Sequence, residues 1–222
     1  MPSSKKFNEE YWDRIFSIIK KSVKGPLPSV SAIERESSDP FKVLISTIIS
    51  LRTKDKVTFE SSIRLFEKAE TAESMVKLEA EEIAELIYPA GFYKTKADNI
   101  KKICRLILDE GGEVPQTQEG LLAYPGVGLK TANLVLSLGW GIPAICVDIH
   151  VHRIANRMGW VKTTKPDDSE KALRKILPLK YWIPINELLV LYGQQICTPQ
   201  SPHCSRCALN QLCPQKNVNK SR

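Results

Sequence analysis

Four of the six cysteines, Cys197, Cys204, Cys207 and Cys213, fall within 17 residues, at the spacing Cys-x6-Cys-x2-Cys-x5-Cys. Zinc sites more often use two close pairs. Here one close pair is flanked by two singles, which favours the bulkier iron–sulfur cluster and leaves zinc as the alternative. The first 21 residues carry Glu9, Glu10 and Asp13 and show no uninterrupted apolar run before a cleavage site, so no secretory signal is expected. In that setting the cysteines read as metal ligands rather than as a disulfide framework. Cys104 and Cys146 stand alone in apolar surroundings and read as small core residues. His203 reads as a solvated residue, because four thiolates already close a site.

A second group of residues could handle a phosphate and a sugar. Pro125, Gly126, Val127 and Gly128 form a turn in which two glycines permit backbone conformations closed to other residues. Bare backbone at such a turn can approach a DNA phosphate without reading sequence; a plain helical hairpin without ligand is the alternative. Lys130 follows in the first turn of the next helix, where the macrodipole disfavours an ammonium. A neutral amine there could attack a sugar carbon and form a Schiff base, or the lysine could simply add a phosphate contact. Eighteen residues on, Asp148 precedes an amphipathic helix over residues 151–158. It is expected to cap that helix, and could accept a proton or stabilise a cationic sugar transition state. A carboxylate near Lys130 would raise the pKa that the helix terminus lowers, so the net effect stays open.

The elements that must position these groups read as helices throughout. Apolar residues recur at helical spacing at Trp12, Ile15, Phe16, Ile19 and Val23, and again at Ile100, Ile103, Leu106 and Ile107. Residues 41–51 are rich in Val and Ile, but Asp39 followed by Pro40 marks a helix start. Further starts are expected at Thr95, Thr117 and Ser169, with a helix over residues 186–196 leading to the cysteines. The fold class is therefore all-α, with roughly ten short helices. The polar ends, residues 1–6 and 216–222, are expected to fray. With 42% apolar residues the chain can bury a core, and its longest apolar passage is too short and too interrupted to span a bilayer. A net charge of +7, of which +4 lies beyond Glu187, suits a polyanion.

Taken together, the segment from Tyr124 through the glycine turn and Lys130 to Ala132, the run Val147-Asp148-Ile149-His150, and the spacing of Cys197, Cys204, Cys207 and Cys213 resemble endonuclease III. This is the iron–sulfur branch of the helix-hairpin-helix DNA glycosylases, and the likeness extends over about residues 39–213. The resemblance implies a base-excision repair enzyme that acts on double-stranded DNA. Such an enzyme flips out an oxidised pyrimidine, cleaves the glycosidic bond and nicks the abasic strand by β-elimination. It places the catalytic lysine at Lys130, the catalytic aspartate at Asp148, and [4Fe-4S] ligands at the four cysteines. It also implies a helical barrel over residues 33–142 and a cluster lobe from residues 1–32 and 143–222, with DNA in the cleft between them. A monomer is expected, in the nucleoid of a prokaryote or the nucleus of a eukaryote. Two loops that fill the gap left by the flipped base fall on residues 50–54 and 91–94. They make Arg52 and Phe92 candidate gap-filling residues and Lys94 a candidate phosphate contact.

The sequence also departs from the family pattern. Arg52 replaces a common glutamine and brings a fork that suits the edge of guanine, or that clamps a phosphate. Ile149 stands where threonine is frequent, which removes any hydroxyl beside Asp148. The loop over residues 198–203 lacks basic residues, giving Arg206 more weight. Two alternatives remain: a monofunctional mismatch glycosylase in which water attacks and Asp148 dominates, and a non-catalytic iron–sulfur DNA-binding protein.

Overall fold

The computed structural model describes residues 7–37 and 39–222, without the side chain of Glu36. The expected fraying of residues 1–6 lies outside them. Among the described residues there are twelve α-helices and no strand. In chain order they are α1 (Glu9–Ser22), α2 (Ser29–Ser37), α3 (Pro40–Ser50), α4 (Asp55–Lys68), α5 (Ala72–Met75) and α6 (Ala80–Ile87). Then come α7 (Tyr93–Asp109), α8 (Gln118–Leu122), α9 (Leu129–Leu134), α10 (Ile149–Arg157), α11 (Pro166–Leu173) and α12 (Pro184–Gln195). α9 runs on into a π-helical turn, Val135–Gly139. The all-α reading holds. None of the described helices is long and apolar enough to cross a membrane.

The chain divides into two compact units, Pro28–Ala144 and a second made of Met1–Leu27 with Ile145–Arg222. The first is built around α3. Asp39 accepts a hydrogen bond from the Phe41 N–H at 2.8 Å, and Pro40 takes the first helical position, as the sequence led us to expect. Val43, Leu44, Ile45 and Ile49 of this helix are wholly buried, because α2, α4, α7, α9 and the π turn all pack against it. Its Ser46 and Thr47 hydroxyls donate to carbonyls of the preceding turn, so neither is buried without a partner. The unit begins before α2 rather than at residue 33, since α2 packs on α3 and α4 and belongs to that core.

In the second unit α1 supplies Trp12, Ile15, Phe16 and Ile19 to a core shared with Val151 and Ile154 of α10 and Leu189 and Tyr192 of α12. Burial of each such side chain stabilises by roughly 1.5–3 kcal/mol, so α1 is fastened to the C-terminal third of the chain. Asn8 caps α1 by accepting from the Tyr11 N–H at 2.9 Å. Acidic residues open that helix and lysines close it, matching the macrodipole.

Two expected helix starts are corrected. α7 begins at Tyr93, not after Thr95, because Phe92 turns the chain with φ at +58°. α11 begins at Pro166, so Ser169 lies inside it rather than capping it. The Ser169 hydroxyl is buried and engaged by His152 Nδ1 at 2.6 Å and by Thr163 Oγ1. The Pro166-Asp167-Asp168 run was the better start signal.

Candidate active site and nucleic-acid interface

Helices α8 and α9 are joined by the glycine turn. Thr117 caps α8 by accepting from the Gly120 N–H at 3.1 Å, and Gln118 Nε2 donates to the fully buried Asn133 Oδ1 at 2.7 Å, latching the two helices together. Tyr124 closes the turn by accepting the Val127 N–H at its carbonyl, 3.1 Å away. Its phenol donates to Glu110, and burial and that carboxylate together push its pKa up. Gly126 has φ at +78°, and a Cβ there would lie 2.7 Å from Asn99 Nδ2 of α7, so both conformation and space call for glycine. Val127 is buried and its N–H is used within the turn, while Gly126 and Gly128 are exposed as bare backbone. Gly128 is the N-cap of α9 and offers no side chain to close the helix start. Lys130, half-buried, is the second residue of α9.

Arg52 and Phe92 are brought together on the same unit. The Arg52 guanidinium carbon lies 5.4 Å from the centroid of the Phe92 ring, and both side chains are exposed. Lys94 is exposed in the first turn of α7, two residues beyond Phe92.

Asp148 belongs to the other unit, so the structure does not unite it with Lys130 in one compact body. It is the N-cap of α10, and one carboxylate oxygen accepts the N–H groups of His150 at 2.9 Å and Val151 at 2.8 Å. Its neighbour Ile149 is 68% exposed, an apolar side chain presented to solvent beside a half-buried carboxylate.

The four cysteines line one cavity together with Arg157 and Tyr192. Among the described residues no group of three or more His, Cys, Asp or Glu side chains stands close enough to hold a single metal ion. Each sulfur has a donor. Arg157 Nη1 lies 3.3 Å from Cys197 Sγ, the Tyr192 hydroxyl 2.9 Å from Cys207 Sγ, and the Gln215 N–H 3.4 Å from Cys213 Sγ, while Ser221 bonds Cys204. Such donors around sulfur fit a cluster held by electron-rich thiolates. Burial raises the Cys204 and Cys213 thiol pKa values, so loading a metal must displace their protons.

Two arginines that the motifs did not single out tie this cavity to the helix of Asp148. Arg153 donates to the carbonyls of Gly193 and Cys197, and Arg157 to those of Thr198 and Pro199, both at 2.7 Å. Their spacing of four on α10 was the available signal, since it sets both on one face.

Residues 45–179 match the family model described as HhH-GPD superfamily base excision DNA repair protein. The endonuclease III of Thermotoga maritima is 48% identical over 179 residues, which cover 80% of this chain and 84% of that protein. The chain belongs to the HhH-GPD superfamily of base excision DNA repair proteins. Within the superfamily it sits with endonuclease III in structure as well as in sequence. The solved structure of a non-covalent endonuclease III–DNA complex matches with a TM-score of 0.82 at 32% identity, covering 97% of each chain. A trapped endonuclease III–DNA covalent intermediate matches equally well over the same share. In this HhH-GPD protein the hairpin motif is thus α8, the Pro125–Gly128 turn and α9.

Proposed function

We propose that the protein is a base-excision repair DNA glycosylase with abasic-site lyase activity, acting on oxidised pyrimidines in duplex DNA with Lys130 as nucleophile and Asp148 as its acidic partner. The observation that carries this reading is Lys130 itself. A half-buried lysine sits two residues past the bare glycine turn in a chain nearly half identical to an endonuclease III. The trapped covalent DNA intermediate of a like fold supports attack by an enzyme side chain rather than by water.

In the reaction the damaged nucleotide leaves the stack, which requires less work for a lesion than for an intact pair. The Lys130 amine attacks C1′, the glycosidic bond breaks with its electron pair going to the base, and the departing base takes up a proton. Opening of the sugar gives a Schiff base between Lys130 and C1′. Loss of a C2′ proton then expels the 3′ phosphate, and water releases the enzyme from the nicked strand. Asp148, with one carboxylate oxygen held by two helix N–H groups, is the acid assigned to receive the proton that the lysine sheds or to stabilise the cationic sugar. Gly126 and Gly128 place backbone against phosphate, and Arg52, Phe92 and Lys94 meet the opened duplex.

Cys197, Cys204, Cys207 and Cys213 would hold a [4Fe-4S] cluster, which when bound would cross-link the C-terminal loop. Arg153 and Arg157 carry that rigidity to α10 and so to Asp148. A DNA substrate places the protein with the genome, in nucleoid or nucleus.

Borohydride reduction on a duplex with one oxidised pyrimidine tests the proposal. Wild type should be captured covalently, Lys130→Ala should not be, and Lys130→Ala should still bind the duplex. Release of the damaged base by Lys130→Ala at the wild-type rate would instead assign attack to water.

A further inference from the structure

One buried cation has no part in the chemistry above. Lys96 lies on the core face of α7, in register with Ile100, Ile103 and Ile107, and is only 5% exposed. Burying an ammonium is unfavourable unless oxygens replace its water. Three do: the carbonyls of Ile49 and Leu51, each at 2.6 Å, and Thr53 Oγ1 at 2.9 Å. The carbonyls belong to the C-terminal end of α3, where helix carbonyls lack partners and the dipole is negative.

The Thr53 hydroxyl is the knot of this arrangement. It donates to the Leu51 carbonyl at 3.3 Å and accepts from both Lys96 and the Gly91 N–H, the latter at 3.1 Å, which uses all of its hydrogen-bonding capacity. Gly91 in turn has no room for a side chain, since a Cβ would fall 2.5 Å from the Arg52 carbonyl oxygen. The loops bearing Arg52 and Phe92 are therefore pressed together backbone to backbone.

Arg52 and Phe92 themselves occupy the left-handed region, with φ at +53° and +58°. A non-glycine residue there is strained and persists only where its surroundings over-determine it. The lysine with its three oxygens, the threonine knot and the glycine contact supply that over-determination.

We infer that Lys96 is a positioning residue for strand opening: through Thr53 it holds Arg52 and Phe92 as a preformed two-residue wedge. It acts through those two residues and touches no substrate. This inference rests on the reading of the two loops as the elements that meet the opened duplex, but not on the identity of the nucleophile.

Two substrates separate opening from chemistry: a duplex with a single paired thymine glycol, and the same duplex with a preformed abasic site, where no base must be extruded. Lys96→Met and Thr53→Val should each slow base release from the paired lesion by about tenfold or more, as loss of sub-ångström placement does. Both should retain strand nicking and borohydride capture at the abasic site to within about threefold. Thr53→Ser, which keeps the hydroxyl, should behave as wild type. The double variant should lose little beyond either single one, because the two residues act as one unit. Equal loss on both substrates, or no loss on the paired lesion, overturns the inference. If Lys96→Met fails to fold, Thr53→Val carries the test alone. If wild type is not captured on either substrate, it is the lysine nucleophile that fails, and the rate of base release still reports on the wedge.

Discussion

The guanidinium of Arg52 lies over the ring of Phe92, and the strained backbone beneath each is held by the other's loop. A cation stacked on an exposed ring offers DNA a flat apolar face and a fork of donors at once. The fork suits the O6 and N7 edge of guanine, a contact worth about 1–3 kcal/mol of discrimination. Wild type should therefore excise a lesion opposite guanine faster than opposite adenine, and Arg52→Gln should narrow that difference several-fold. Equal rates opposite all four bases in both proteins would remove the guanine reading and leave a phosphate clamp, whose loss weakens binding alone.

Asp148→Asn separates the structural from the chemical use of that side chain. Asparagine caps helices about as well as aspartate, so the two bonds to the His150 and Val151 N–H groups survive. Thermal stability should change by less than about 1 kcal/mol, while single-turnover base release should fall by about 100-fold or more. A large drop in melting temperature with proportionate activity would make Asp148 a cap and nothing else.

Gly126→Ala should damage both fold and grip. The added methyl meets Asn99 Nδ2 and the residue must hold φ at +78°, so a loss of about 1–3 kcal/mol in unfolding free energy is expected. Duplex affinity should fall without change in opposite-base preference if, as proposed, the turn meets phosphates rather than bases. Asn99→Ala in the same background should relieve only the steric part.

The cysteine cavity predicts colour and linkage. The purified protein should be brown, and Arg157→Ala should lose about 2–3 kcal/mol, since it strips a buried cation from two carbonyls and a sulfur. The same variant should bleach faster under chelator, measured by visible absorbance. A colourless, zinc-loaded preparation would refute the cluster assignment.

Lys96 also fixes a pH dependence. Burial lowers its pKa to about 8 in the folded protein, against an unfolded value near 10.4. Between these two values the unfolded chain binds the extra proton, so stability contributed at this site rises with pH across that window and is flat below it. Urea titrations at pH 7.5, 8.5 and 9.5 should show wild type gaining on Lys96→Met. Parallel curves would mean that the three oxygens favour the ammonium enough to cancel the burial.

Much of this was legible in the residues. Asp39 with Pro40 identified α3 against the strand-like composition of its interior, and Asp148 proved to be the cap expected of it. The four cysteines, read from their spacing as belonging together, line one cavity. The illegible parts depend on contacts between distant segments. Nothing local marks Tyr93 as the start of α7, because the left-handed turn at Phe92 before it is packed against the loop of Arg52. No motif singles out Lys96, although its register with Ile100, Ile103 and Ile107 sets it on the buried face. Arg153 and Arg157 showed their spacing but not their carbonyl partners, which lie some 40 residues onward.

Because α1 packs with α10 and α12 while Pro28–Ala144 forms a body of its own, the order of synthesis runs against the order of assembly. Trp12, Ile15 and Ile19 leave the ribosome ahead of their core neighbours, which emerge only after the whole intervening body has been made. Until those neighbours arrive the apolar face of α1 has no native core to bury it, and a chaperone that sheltered this segment should raise the yield of the finished enzyme more than one acting on the inserted body.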